Sequence, residues 1–164
     1  MPKSDMDAID RRIIVELQAD ARLTNVELAD RIGLSPSPCL RRVKRLEREG
    51  YIEGYRAALR RERVGLGFSV FVGVKIDGHA NDVALGFEKT IAALPEVVAC
   101  HLVSGESDYF LEVVVPDLEH YQQFLVGKLL NLSIVKEVRS NIALQTIKAG
   151  APLPLGHLRD HRST

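Results

Sequence analysis

The chain has 164 residues, 46% hydrophobic and 27% charged, with 22 Lys and Arg balancing 22 Asp and Glu. That is room for one domain or two small ones with real cores. No apolar run reaches the roughly 20 residues that span a bilayer, and the polar start MPKSDMDAIDRR has no apolar segment of the kind a signal peptide needs, so a cytoplasmic location and no membrane partner are expected.

The zero net charge hides an asymmetry. Residues 1–63 hold 14 Lys and Arg against 11 Asp and Glu, residues 64–164 hold 8 against 11, and the stretch 35–63 holds 9 against 4. Opposite halves of this kind point to one part that meets an anion and one that does not. Cys39 and Cys100 lie far apart and read as buried free thiols.

In chain order, DAIDRRIIVELQADA begins a helix with Asp7 as N-cap and Asp10 at its positive end. Ile9, Ile13 and Leu17, with Ile14 beside them, form its apolar stripe. TNVE announces a second helix through a capping box of Thr24 and Glu27, with Leu28, Ala29 and Ile32 inward and Gly33 at the end.

The next stretch, SPSPCLRRVKRLEREG, places prolines in a first helical turn, where the amide has no intrahelical partner. Either Ser35 caps with Pro36 first or Ser37 caps with Pro38 first; the bias of pre-proline residues against helical dihedrals favours the second. At about 100° per residue, Cys39, Val43 and Leu46 form the buried stripe. Ser37, Arg41, Lys44, Arg45 and Arg48 share the opposite face without an acid among them, and Arg42 lies at its flank. Two helices, a glycine turn and a helix with a basic outer face make a helix-turn-helix. Tyr51–Glu53 and Tyr55–Leu59 read as two short strands around Gly54, a wing whose Arg56, Arg60, Arg61 and Arg63 extend the positive charge.

Beyond Gly65 and Gly67 the period changes. FSVFVGVKI (68–76) alternates as a strand, 80–94 is helical through Val83, Ala84, Phe87, Ile91 and Leu94, and VVACHLVS (97–104) is a strand. GESD is a turn, YFLEVVV (109–115) a third strand, DLEHYQQFLVGKLLN a second helix, and 134–148 holds the last strand. The order β-α-β-β-α-β predicts a ferredoxin-like α+β sandwich. Two helices cover one face of such a sheet, yet both faces look apolar, so a symmetric dimer is expected to bury the second. The expected domains are 1–63, a winged helix-turn-helix; 64–150, the βαββαβ domain; and 151–164, a tail with dimer or inter-dimer contacts.

These stretches resemble the Lrp/AsnC, or feast/famine, family of transcription regulators. IDRRIIVELQADARLTNVELADRIGLSPSPCLRRVKRLEREGYIEGY, VFVGVKI, LPEVVACHLVSGESDYFLEVVVPDLEHYQQFL and TIKAGAPLPL carry the resemblance to about residue 155. It implies homodimers assembling into higher forms, often octamers, and an amino acid or related effector bound where dimers meet, with no other cofactor. The family's effector loop is usually Gly-x-aromatic-Asp; here it reads Gly105-Glu106-Ser107-Asp108, with serine in place of the aromatic. The resemblance marks Gly105, Glu106, Ser107, Asp108, Tyr109 and Ser140 as effector-binding. Gly105 would expose amides to a carboxylate and Asp108 would pair with an ammonium group; the plainer reading is a hairpin turn in which Asp108 caps its own backbone.

The expected mechanism puts α-helical residues 37 onward in the major groove of double-stranded DNA. Ser37 and Arg41 meet base edges, Arg42, Lys44 and Arg45 hold phosphates, and Arg56 and Arg60 assist from the wing. Three other readings remain. An enzyme is disfavoured: His79, His101, His120, His157 and His161 show no strong metal spacing, and no phosphate loop or nucleophile elbow appears. RNA binding through Phe71 and Phe110 lacks the basic-glycine-aromatic signature. An effector-sensing module acting on a partner protein or enzyme is opposed by the intact basic face.

Overall fold

Local chemistry sets the three N-terminal helices. The computed structural model describes residues 6–77 and 81–158, apart from the side chains at 81 and 83. Helix α1 (Ala8–Ala19) opens with a complete capping box: the Asp7 carboxylate accepts from the Asp10 amide at 2.8 Å, and the Asp10 carboxylate accepts from the Asp7 amide at 3.1 Å. Helix α2 (Asn25–Ile32) carries the same device at Thr24 and Glu27 and ends at Gly33 with φ +72°.

Helix α3 (Pro36–Arg48) starts two residues earlier than the pre-proline bias suggests. Ser35 is the N-cap, in extended backbone at ψ 155°, and Ser37 is helical. Both prolines then fall within the first turn, where neither missing amide is needed. Ile13, Leu28, Ala29, Ile32, Cys39 and Leu46 form the buried core of the three helices, with Ile9, Leu17, Val43 and Ile52 packed around it. Each fully buried Leu or Ile contributes about 1.5–3 kcal/mol over its exposed state.

The expected wing strands do not form. Residues 51–60 pair with no strand, and Gly50 and Gly54 both have positive φ. Tyr55 instead donates to Glu47 at 2.9 Å, and Ile52 N–H donates to the Leu46 carbonyl at 3.2 Å. A lone two-stranded ribbon is marginal in water, and these contacts with α3 hold the segment without one.

The chain divides into two compact units: residues through Ala58 together with the C-terminal segment from Lys148, and Leu59–Ile147. The expected boundary after residue 63 thus moves back. Arg61, in a 3₁₀ turn at Arg61–Val64, belongs with the second unit because it pairs with Glu112 at 2.6 Å and donates to Ser69 at 3.2 Å. The C-terminal segment, expected as a tail at a dimer contact, lies on α1 of its own chain. Leu153 N–H donates to Gln18 Oε1 at 2.6 Å, Gln18 Nε2 donates back to the Leu153 carbonyl at 3.3 Å, and Arg11 donates to the Leu158 carbonyl. The rest of the tail with His161, the helix position at Ala80, His79 and the Val83 side chain lie outside the described residues.

The second unit is the anticipated α+β sandwich. Strands β1 (Phe68–Ile76), β2 (Val97–Leu102), β3 (Tyr109–Val115) and β4 (Val135–Ile142) form an antiparallel sheet in the order β2-β3-β1-β4. Helices α4 (Asn81–Ala92) and α5 (Leu118–Phe124), the latter running into a π-helical turn at Leu125–Leu129, cover one face. Val70, Val72, Val74, Leu111 and Val113 meet Phe87, Ile91, Tyr121, Phe124 and Leu129 there.

The other face is more mixed than expected. Phe71 and Phe110 stack with centroids 6.0 Å apart and remain about one-third exposed, flanked by the Arg61–Glu112 pair. Both cysteines are free, but only Cys39 is buried; Cys100, on edge strand β2, is exposed. An edge strand has a neighbour on one side only, which leaves an apolar-looking alternation open to solvent.

Candidate nucleic-acid interface and ligand loop

The helical period of α3 sorts its side chains into two sets. Ser37, Leu40, Arg41, Lys44 and Arg48 are exposed and line one shallow depression of about 340 Å³. Among the described residues Arg41 and Lys44 have no ion pair, and Arg48 comes within 3.8 Å of Glu49 while staying largely exposed. Leu40 was not singled out from the sequence, although it falls between Ser37 and Lys44 on the same outer stripe.

Arg42 and Arg45 depart from their expected role. Arg42 Nη1 lies 2.6 Å from Asp7 Oδ2 and 2.8 Å from Asp10 Oδ1. Arg45 Nη2 pairs with Asp10 Oδ2, and its Nε lies 3.9 Å from Glu49. Asp10 is completely buried. Burial opposes ionisation of Asp7, but the hydrogen bond from the Asp10 amide and the bond and charge of Arg42 outweigh it and hold its pKa below the usual value. The same two carboxylates push the Arg42 pKa up. The signal for this pairing was present in the sequence. Asp10 stands three, four and seven residues before Ile13, Ile14 and Leu17, on the inner face of α1, where a carboxylate requires a cationic partner.

Arg56 is exposed in the segment after α3. Arg60 is exposed as well, but it falls in the second unit.

The GESD turn joins β2 to β3. Gly105 has φ +134°, the conformation its position demanded. The Asp108 carboxylate accepts from the Ile76 amide at 2.9 Å, and its backbone N–H donates to the Val74 carbonyl at 3.0 Å. Asp108 therefore ties the turn to the end of β1. Glu106 pairs with Arg139, which also meets Glu137 at 2.7 Å. Gly73, Lys75, Glu106, Ser107, Glu137 and Arg139 surround a notch with no space for a water.

Two expected members of the effector set face elsewhere. Tyr109 is buried on the helix side, its ring 4.7 Å from that of Phe87 and its hydroxyl donating to Glu88 at 2.8 Å. Ser140, opposite Val72 in the ladder, shares a hydrogen bond with the Tyr121 hydroxyl. The alternation of side chains along β4 separates Ser140 from its neighbour Arg139 by the thickness of the sheet. One chain thus brings Glu106, Ser107 and Asp108 together but not the full set of six.

Comparison with known proteins agrees with this layout. Residues 69–153 match the Lrp/AsnC ligand binding domain, and residues 6–53 match a winged helix-turn-helix DNA-binding model. The chain belongs to the Lrp/AsnC family. It is 44% identical over 147 residues to the leucine-responsive regulatory protein of Escherichia coli K12, covering 90% of each chain. A crystal structure of a Neisseria meningitidis transcriptional regulator in complex with L-Met superposes with a TM-score of 0.89 at 40% identity, covering 94% of this chain and 99% of that one. An AsnC family transcriptional regulator from Agrobacterium tumefaciens gives a TM-score of 0.88 at 34% identity, covering 94% and 100%. The protein is accordingly a DNA-binding transcriptional regulator, built as a winged helix-turn-helix followed by an α+β ligand domain. Among the described residues no helix of this regulator is long and apolar enough to cross a membrane.

Proposed function

We propose that the regulator reads a duplex operator with the outer stripe of α3 and answers to an amino acid through its ligand domain. The observation that carries the first half is the sorted surface of α3, with Ser37, Leu40, Arg41, Lys44 and Arg48 exposed along one side and the core residues Cys39 and Leu46 on the other. Ser37 and Arg41, nearest the helix start, meet base edges. Leu40 offers an apolar contact to a thymine methyl, and Lys44, Arg48 and Arg56 hold phosphates. Arg42 and Arg45 are left out of this set because Asp7 and Asp10 already engage them.

The second half rests on the match of residues 69–153 to a ligand-binding domain and on the L-Met complex of the Neisseria relative. The effector's ammonium group would meet the carboxylates of Glu106 and Asp108, and its carboxylate the amides at Gly105. Since one chain leaves only a closed notch there, the pocket is completed by another copy. The partly exposed Phe71–Phe110 stack supplies an apolar patch for a homodimer, and larger assembly, up to an octamer, follows from effector sites placed between dimers. The regulator acts without a further cofactor, without catalysis and in the cytoplasm.

Selection of bound sequences from a random duplex pool tests the DNA half. Enrichment of a roughly palindromic site is expected; an unenriched pool would leave only charge-driven binding. A thermal-shift screen of the amino acids, with assembly size measured alongside, tests the effector half. No shift with any amino acid would remove it.

A further inference from the structure

We propose that Asp10 sets the specificity of DNA binding by withholding Arg42 and Arg45 from the phosphate backbone, an inference that rests on the DNA-binding role of α3. The two arginines stand on the helix that carries the recognition stripe, and side chains of their length would reach phosphates flanking a groove-bound helix. Instead each gives a guanidinium nitrogen to a different oxygen of one fully buried carboxylate, and Arg42 adds a bond to Asp7. A buried carboxylate stripped of its partners is left as an uncompensated charge away from water, whereas a phosphate contact at the surface is screened. The equilibrium therefore keeps both arginines on Asp10 when DNA arrives.

The consequence is a ceiling on sequence-independent attraction. Each phosphate neutralised by a cation adds about 0.9 to the slope of log affinity against log salt on duplex DNA, and this term supplies nearly all non-specific binding. With Arg42 and Arg45 held back, α3 meets the backbone through Lys44 and Arg48, and the base-reading Ser37 and Arg41 account for a larger share of the total. Asp10 thereby favours discrimination over raw affinity without touching DNA.

Salt titrations of binding to an operator and to random duplex of equal length test this with the full chain. Asp10→Asn keeps the shape and an acceptor for the Asp7 amide but removes the charge. It is expected to steepen the slope on random duplex by about 1–2, to raise that affinity by roughly tenfold or more at low salt, and to narrow the operator-to-random ratio. Arg42→Gln and Arg45→Gln are each expected to leave the wild-type slope unchanged, whereas Lys44→Gln lowers it by about one. The slope reads charge released on binding and does not respond to a stability loss, so the arginine variants decide the matter even where Asp10→Asn folds poorly. A slope lowered by Arg42→Gln or Arg45→Gln as much as by Lys44→Gln would overturn the proposal, as would a folded Asp10→Asn variant with the wild-type slope. A wild-type protein without affinity for any duplex would instead overturn the DNA-binding role of α3 itself.

Discussion

The hydroxyl of Ser107 occupies the space that a β-carbon on Gly73 would need. The glycine therefore acts as a seat for the side chain at position 107. Gly73→Ala alone is expected to cost within about 1 kcal/mol, because the serine hydroxyl can turn to another rotamer and alanine is the better strand residue. Ser107→Phe alone is expected to fold, its ring lying over the glycine. Combined, the two substitutions should be worse than the sum of their separate effects, since the ring loses its seat. A double-mutant cycle by urea unfolding measures the coupling, and additivity would dissociate the two positions.

Arg41→Ala is expected to weaken operator binding by about 1–3 kcal/mol and to relax preference at one base-pair position. Titration against the operator and against single-substitution variants of it makes the comparison. An equal loss on every duplex would reassign Arg41 to the phosphates.

Asp108 has a structural duty that the sequence pattern alone understated. Removing its carboxylate leaves the Ile76 amide without its partner, so Asp108→Ala is expected to destabilise the ligand domain by about 1–3 kcal/mol. Asp108→Asn keeps an acceptor and should recover most of that loss. If the carboxylate also meets the effector's ammonium group, Asn restores the melting temperature but not the effector-induced shift; recovery of both would confine Asp108 to its turn.

Burial and the hydrogen bond to Glu88 push the Tyr109 hydroxyl up to about 12, from an ordinary value of 10. The folded chain therefore retains a proton that the unfolded chain releases above pH 10. The stabilisation is complete below pH 10 and is lost as the pH rises to about 12, an effect on the order of 2–3 kcal/mol for this buried group. Ultraviolet titration of the tyrosines should show one fewer late-ionising group in Tyr109→Phe, with a shallower alkaline loss of stability. An unchanged titration would place the late group elsewhere.

How far the sequence disclosed this molecule depended on whether a feature was local. The N-cap at Asp7, the capping box at Thr24, the stop at Gly33 and the alternation of Val70, Val72 and Val74 rest on neighbours a few residues apart, and the structure contains each of them. The basic face of α3 was half legible. Periodicity placed Ser37, Arg41, Lys44 and Arg48 outward, and the period of α1 put Asp10 inward in need of a cation, but that Arg42 and Arg45 answer it joins residues more than thirty apart, which no single-helix period specifies. The strands expected around Gly54 failed for the opposite reason: their residues suit a strand, yet no adjacent ladder exists to pair them. Ser140 and Tyr109 join the ligand loop only through the family resemblance, and the pleat of the sheet turns both toward the helices.

The grip of Gln18 on Leu153 gives the DNA-reading head two attachments to the remainder of the protein, one through the peptide chain near Ala58 and one through the returning C-terminus. Cleavage of the first by a protease would nick the polypeptide without setting the head free. It would still be held by the C-terminal segment that lies along α1 through Gln18 and Leu153, as a watch stays on the wrist when one of two straps is cut.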